Sequence, residues 1–317
     1  MNKPTLDFSF VILHYVAFDM TVECVDNLIK RFGNNNILIV IVDNASPNGS
    51  GKKLKERFHD NSKVVVILHN RNDGFARGNN IGFNYIKQHY DVKYMVVMNN
   101  DVLIDQDDFL GKTKEIYNKY KFAVLGPSIF APKYNLYQNP GPLKCASIKQ
   151  TVKFIKTYRG YIIKDNFNYY ILKILHYTVF WWIKPIYKIF KKEQNAKKNK
   201  TNTETPKHNS TKITHYVTDS VLCGACYIFS KDFVQNRDYC FDPHTYLYFE
   251  EQILAYQCQN NKLPMLYTPD IEVKHLIGIS TELSEKDNRR RYLSMWKENI
   301  KSAKYYLKIL KTQNEYN

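Results

Sequence analysis

The sequence predicts an α/β fold built on a mostly parallel central sheet, and three observations point there. Short apolar runs alternate with helix-like segments repeatedly before Asp101, the pattern of βαβ units. Each run is too short for a helix and apolar throughout, as strands covered on both faces of a parallel sheet are. Each run also ends in polar residues that a sheet core would reject. Open α/β sheets bind ligands just beyond the carboxyl ends of their strands, so these residues should share one rim.

Phe8–Leu13 is the first run and closes on His14-Tyr15. Asp19 is the expected N-cap of a helix with Val22, Val25, Leu28 and Ile29 on one face, stopped at Gly33. Ile37–Val42 is the second strand, followed by Asp43-Asn-Ala-Ser-Pro-Asn-Gly-Ser-Gly51, dense in turn formers. A helix over about Lys52–Phe58 leads to a third strand, Val64–Leu68. His69–Asn80 is polar and Gly-punctuated, and is expected to be a loop opening a helix with Ile81, Tyr85 and Ile86. Tyr94–Met98 is the central strand, cut off by Asn99-Asn-Asp101. An Asp flanked by two amides at a strand end suits a hard divalent cation held through oxygen ligands, with a phosphate completing the shell. The same triplet is also good turn chemistry. On this reading His14, Tyr15, Asp43, Asn44, the stretch Asn72 to Asn80, Asn99, Asn100 and Asp101 line the rim. No G-x-G-x-x-G follows the first strand and no G-x-x-x-x-G-K-[ST] occurs, which disfavours an ordinary dinucleotide fold and a P-loop.

At 317 residues the chain accommodates one large domain with an insertion, or two domains. The formal charge of +16 calls for an anionic partner. Its location decides which: Lys144–Lys212 holds sixteen Lys and Arg against Asp165, Glu193 and Glu204, a net +13. Charge gathered in one segment argues against a nucleic-acid-binding face on the sheet. The same segment contains Phe167–Phe190, rich in Tyr, Trp and Ile but interrupted by Lys173 and Lys184, with Pro185 set to kink a helix. Aromatic residues and Lys around a short apolar centre suit a bilayer interface. The competing reading is a helix packed on the protein's own core. Lys191–Thr211 reads as a linker. Six Cys without a scaffold spacing point to a reducing compartment. Met1–Asp7 lacks the apolar core of a signal peptide, and no uninterrupted apolar run reaches the roughly 18 residues of a membrane span.

Beyond the insertion, Thr214–Ser220 has strand-like alternation and leads to Leu222-Cys-Gly-Ala-Cys-Tyr-Ile-Phe229. Cys223 and Cys226 form a lone C-x-x-C without a second pair at zinc spacing, and are read as structural. Phe241–Tyr256 reads as a loop feeding a helix at Phe249 or Glu250. Glu250 and Glu251 at that entry are stabilised by the helix dipole, yet adjacent acids also repel and lift a pKa toward a base's working range. Pro264–Tyr267 and Ile271–Lys274 are two short strands ending at His275, and Arg289–Leu310 is an amphipathic basic helix.

Val42-Asp-Asn-Ala-Ser46, Asn72-Asp-Gly-Phe-Ala-Arg-Gly-Asn-Asn80 and Asn99-Asn-Asp101 resemble the successive motifs of family 2 glycosyltransferases, which have the GT-A fold. The likeness is greatest to the bacterial rhamnosyltransferase-like subgroup of surface-polysaccharide enzymes, and covers about 8–130 and 214–282. It implies that Asp43 contacts a uracil or thymine base, that Arg77 faces the diphosphate, and that Asp101 binds Mn²⁺ or Mg²⁺ in a D-x-D position whose first Asp is Asn99 here. It implies His275 as a further metal ligand, with His14, Tyr15, Asn44, Asn72, Gly74, Asn80, Asn99 and Asn100 around the nucleotide sugar. The family's Phe-Glu-Asp motif, whose second acid is the base, falls on Phe249-Glu250-Glu251. Glu251 is thus the implied base, with Glu250 as second candidate because Glu replaces Asp.

The chain therefore divides into a nucleotide-sugar half (1–143), the insertion (144–212), an acceptor and catalytic half (213–282) and a C-terminal helix (283–317). The implied activity is inverting transfer from a UDP- or dTDP-sugar to a lipid-linked oligosaccharide, on the cytoplasmic face of a bacterial plasma membrane, held there by anionic lipid. Alternatives are a sugar-nucleotide pyrophosphorylase, disfavoured by the absence of a Gly-rich basic loop at His14–Phe18, and a non-enzymatic basic membrane adaptor, which leaves the rim motifs unexplained.

Overall fold

Ile37–Asp43 forms a strand (β2) buried at every position, as an apolar run covered on both faces must be. It belongs to a computed structural model that describes residues 3–179, 211–277 and 288–314. Around β2 the strands β1 (Thr5–His14), β3 (Val64–Leu68) and β4 (Asp91–Asn99) run parallel, linked by α1 (Phe18–Phe32), α2 (Ser50–Arg57) and α3 (Gly74–His89). The register sets His14 beside Asp43 and Leu13 beside Asn99, so the three strand ends are level. The rest of the chain adds β5 (Val102–Leu103), α4 (Phe109–Tyr120), β6 (Val124–Ala131), β7 (Leu136–Tyr137), α5 (Ile148–Val179), β8 (Val217–Thr218), β9 (Cys226–Ser230), α6 (Lys231–Asn236), α7 (Glu250–Asn260), β10 (Met265–His275) and α8 (Asn288–Asn314).

The sheet order is β3-β2-β1-β4-β9-β6-β10-β5, with β7 on β6 and β8 on β10. The parallel half matches the sequence expectation. The other half is mixed, because β9 lies antiparallel between β4 and β6. Alternation along the strands splits the core into two layers. Phe8, Phe10 and Ile12 of β1 pack with Val25, Leu28 and Phe32 of α1 and Phe109 of α4. Val11, with Val40 and Val42 of β2, faces Ala76, Phe83 and Ile86 of α3.

Several element bounds differ from the expectation. Ala17, not Asp19, occupies the N-cap of α1, and Asp19 sits in its first turn. Gly74 opens α3, so Arg77 to Asn80 are helical and not loop. The expected strands at 264–267 and 271–274 are one strand, β10, with a register break between Thr268 and Glu272. Thr214–Ser220 contributes only the two-residue β8. The insertion starts as α5, whose Ile155, with Phe154, Tyr158 and Ile162, packs on Ile300, Ala303 and Leu307 of α8. Trp181, Trp182, Pro185 and most of the expected linker lie outside the described residues, as does the stretch after Ile277 up to α8. Among the described residues no helix is long and apolar enough to cross a membrane.

Candidate active site

Asp43 ends β2 beneath a loop built to hold it. Its Oδ1 accepts Ser46 N (3.2 Å) and Ser46 Oγ (2.5 Å), and Ser46 Oγ in turn accepts Val16 N (2.9 Å). A Cβ on Gly51 would stand 2.0 Å from Asp43 Oδ2, so only glycine lets the carboxylate lie there. Val16 and Ala45 both have left-handed φ (54° and 58°). Such backbone in non-glycine residues is strained, and for a β-branched Val unusually so. Strain of this kind gathers at functional sites.

Asn44 stitches the second rim loop to the third. Its Nδ2 donates to Asn72 Oδ1 and Gly74 O (both 3.0 Å), and its Oδ1 accepts Asp73 N (3.0 Å). Asn72 Oδ1 also accepts Gly74 N and the Tyr246 hydroxyl (3.0 Å each). Tyr246 O accepts Phe75 N (2.7 Å), and a Cβ on Gly74, at φ +81°, would stand 2.1 Å from it. The nucleotide-side loops therefore abut residues 241–249, the approach to α7.

His14 is fully buried behind the rim. Nδ1 is 2.7 Å from Thr21 Oγ1, Nε2 is 2.7 Å from Ser50 Oγ, and burial pulls its pKa down to about 4. It is a neutral pin joining β1 to the starts of α1 and α2. Asn100 Nδ2 donates to the same Thr21 Oγ1 (2.9 Å). Asn80 faces away from the rim: Nδ2 donates to Phe241 O (2.7 Å), and Oδ1 accepts Cys240 N and Phe241 N (3.0 and 3.1 Å). Arg77 is exposed, its Nε donating to Pro243 O (2.6 Å). Tyr15 and Asn99 are half-buried at the rim, and Asn99 N donates to Ala225 O (2.9 Å).

Asp101 and His275 are brought together by β5, which pairs with the end of β10. His275 Nε2 is 3.1 Å from Asp101 Oδ1, and His275 Nδ1 is 2.7 Å from Gln138 Oε1. With Nδ1–H donating to Gln138 Oε1, Nε2 is held beside the carboxylate, where it pairs with Asp101 directly or, as a neutral nitrogen, serves with it as a metal ligand. An oriented second nitrogen is what metal-binding histidines have. Among the described residues no group of three His, Cys, Asp or Glu clusters as a metal site. A cation here would rest on Asp101, His275 and ligands from the substrate.

Glu250 and Glu251 open α7. Glu251 Oε1 accepts Gly224 N (3.1 Å), and burial raises its pKa. Glu250 is buried, its Oε1 has no hydrogen-bond partner, and burial followed by the neighbouring Glu251 pushes its pKa up to about 8. Cys223 lies near both Glu251 and Asp101. Burial lifts its thiol to about 12, and the charges of both acids add to that. Cys226 is buried with its thiol also raised, so neither is a reactive thiolate. Asn139 Oδ1 accepts Cys223 N (2.7 Å). Neighbouring residues Gln138 and Asn139 thus orient His275 and the Cys223-Gly224 segment, a support the sequence reading missed, since isolated amides after a two-residue strand carry no periodic signal.

The model of the family described as glycosyl transferase family 2 matches residues 9–236. The chain belongs to that family. Its sheet with flanking helices is a GT-A architecture. Neither the pyrophosphorylase nor the adaptor reading accounts for that match. Glu250, Glu251, His275 and α8 lie beyond the matched residues. The structure of GalNAc-T7 with UDP, GalNAc and Mn²⁺ is similar at 14% identity and TM-score 0.53, over 86% of this chain and 44% of that one. S. aureus TarS 1-349 matches at 11% identity and TM-score 0.48, over 93% of this chain and 71% of that one. The TarS 1-349 complex with UDP-GlcNAc matches at 16% identity and TM-score 0.34, over 40% and 35%. The chain thus aligns with less than half the length of two of these three. No curated protein sequence matches it.

Proposed function

We propose that the protein is an inverting glycosyltransferase that moves a hexose or deoxyhexose from a UDP- or dTDP-sugar to a hydroxyl of a lipid-linked bacterial surface polysaccharide. The reading rests on the pairing of Asp101 with His275 at the strand ends, with Glu251 at the start of α7 near enough to act, like Asp101, on Cys223. A buried carboxylate with a raised pKa and a cation-suited pair are the groups that displacement at a nucleotide sugar calls for. Asp43 accepts the imide N–H of uracil or thymine. Glu251 takes the proton of the acceptor hydroxyl as its oxygen bonds to C1 of the sugar. The C1–O bond to phosphate breaks on the opposite face, and its electron pair leaves with the nucleoside diphosphate. One displacement inverts the anomeric carbon. Asp101 and His275 would hold Mn²⁺ or Mg²⁺, which when bound supplies positive charge to the departing diphosphate.

A second observation supports work at a membrane surface. Ile163, Phe167 and Tyr170 of α5 are 68%, 64% and 60% exposed at helical spacing, next to Arg159 and Lys164. Apolar and basic side chains together suit the anionic inner leaflet, where such acceptors would be met. The test is turnover of a panel of UDP-, dTDP- and GDP-sugars with Mn²⁺ and a bacterial lipid-linked acceptor, with product configuration read by NMR. A retained anomeric configuration, or turnover with GDP-sugars alone, would overturn the proposal.

A further inference from the structure

The chain enters α7 through a turn that needs holding. Tyr248 and Phe249 both have left-handed φ (71° and 70°) immediately before Glu250 and Glu251. Left-handed backbone is strained in non-glycine residues and persists only where the surroundings hold it. Phe249 is also the N-cap of α7, and no side chain caps that end.

Two helices with no rim motif grip this turn. The Phe249 ring meets Phe154 of α5 edge-on at 5.1 Å and Tyr306 of α8 at 5.8 Å. Ser302 Oγ of α8 donates to Leu247 O (2.7 Å). Tyr306 also donates its hydroxyl to Ala146 O (3.0 Å), just ahead of α5, so the two jaws are tied to each other. They pack together through Ile155, Ile300 and Ala303. The loop's other side is fixed by Asn80 on residues 240–241 and by Gly74-Phe75 on Tyr246. The turn is therefore held between the nucleotide-side helix α3 and the α5–α8 pair.

We infer that Phe154 and Tyr306 are positioning residues for transfer, closing on Phe249 to hold the left-handed turn that aims Glu251. This rests on Glu251 being the base. A base must lie about 2.6–3.2 Å from the oxygen whose proton it takes, and a misplacement of about 1 Å is worth roughly 10²-fold in rate. Phe154 and Tyr306 reach the turn from the side opposite Asn72 and Gly74, so the clamp acts on chemistry more than on nucleotide affinity.

The test uses the full chain with Phe154→Ala, Phe154→Leu and Tyr306→Ala, and with Ile162→Ala as a packing control in the same helix interface away from Phe249. Expected results for the two Ala clamp variants are a kcat lowered about 10- to 100-fold, a UDP–Mn²⁺ Kd within about twofold of wild type, and faster hydrogen exchange at 247–251. Phe154→Leu recovers part of kcat, while Ile162→Ala lowers Tm with kcat within about twofold. The inference is overturned if Phe154→Ala and Tyr306→Ala keep both wild-type kcat and wild-type exchange, or if Ile162→Ala loses as much kcat at equal Tm. The exchange readout needs no turnover. Should Glu251→Gln retain transfer while the clamp variants lose it with faster exchange, the base assignment falls and the clamp stands.

Discussion

His275 Nε2 stands 3.1 Å from Asp101 Oδ1, with Gln138 fixing the other ring nitrogen. The pair forms only because β5 brings the residues after β4 alongside the end of β10. Asp101→Ala is expected to abolish turnover and remove the Mn²⁺-dependent part of UDP binding. Gln138→Leu leaves both candidate ligands in place but frees the imidazole to rotate, and should weaken Mn²⁺ about 10- to 100-fold. Titration calorimetry of Mn²⁺ in the presence of UDP reads both. Wild-type Mn²⁺ affinity in Asp101→Ala would remove the metal from this site.

Nucleotide choice is expected to rest on Asp43. Its carboxylate can accept the N3–H of uracil or thymine, a group that cytosine lacks. Asp43→Ala should raise the donor KM and erode discrimination of UDP over CDP. Competition binding with the two diphosphates measures this. Unaltered discrimination would leave Asp43 the role of holding Ser46 and the turn.

The two adjacent glutamates should separate by pH. Glu251 must be ionised to act as a base, and burial raises its pKa, so kcat/KM should rise with pH along a limb above the ordinary carboxylate range. Glu251→Gln is expected to lose transfer by about 10²-fold or more while keeping UDP binding. Glu250 behaves differently. Its folded pKa of about 8 exceeds the ordinary 4.5, so between these values the folded chain holds a proton the unfolded chain has released. Stability from this group is full below about 4.5 and lost as pH rises through 8. Glu250→Gln should therefore gain Tm over the wild type progressively from pH 5 to pH 9. A flat Tm difference across that range would argue against the buried neutral acid, and a dead Glu250→Gln would move the base by one residue.

Gly74 is where the rim touches the approach to α7. An alanine there would place Cβ 2.1 Å from Tyr246 O and force a side chain to φ +81°. Gly74→Ala is expected to destabilise the protein by about 2 kcal/mol or more. It should also disturb both Asn72 and Tyr246, so donor KM and kcat move together. Thermal unfolding and steady-state kinetics on the same sample check this, and an unchanged Tm would contradict the contact.

The strands that carry the site were legible because strands buried on both faces are continuous apolar runs, and Asp43, Asn99 and Asp101 stand out where those runs stop. Direction of side chains was not legible. His14 and Asn80 have the composition of rim residues, yet one is sealed against Thr21 and Ser50 and the other bonds the backbone at 240–241. The start of α3 was hidden because Gly and Asn, poor helix formers, fill its first turns, held there by tertiary contacts with Asn44 and Tyr246. β10 looked like two strands because the ladder shifts register around Pro269-Asp270. Gln138 and Asn139 gave no signal at all, since their work is defined only by what folds against them.

The outer face of α5 supplies the last prediction. Phe154, Ile155, Tyr158 and Ile162 are taken up by the contact with α8, whereas Ile163, Phe167 and Tyr170 point away from it and stay exposed. Such a face gains from entering a bilayer interface in proportion to its apolar area, and nearby Lys and Arg add about 1 kcal/mol each on an anionic leaflet. The protein should therefore sediment with phosphatidylglycerol vesicles, bind phosphatidylcholine vesicles weakly, and be partly released by salt that screens the charge term. Phe167→Ser with Ile163→Ser should weaken vesicle binding at all salt concentrations, because it removes the unscreened apolar term. Lys164→Gln with Arg159→Gln should weaken binding at low salt and converge on the wild type at high salt. Neither pair touches the rim, so UDP binding should hold in both. If both variants pellet with vesicles like the wild type, α5 is not the docking surface. If the Ser variant instead changes the sedimentation coefficient without vesicles, that face joins copies of the chain.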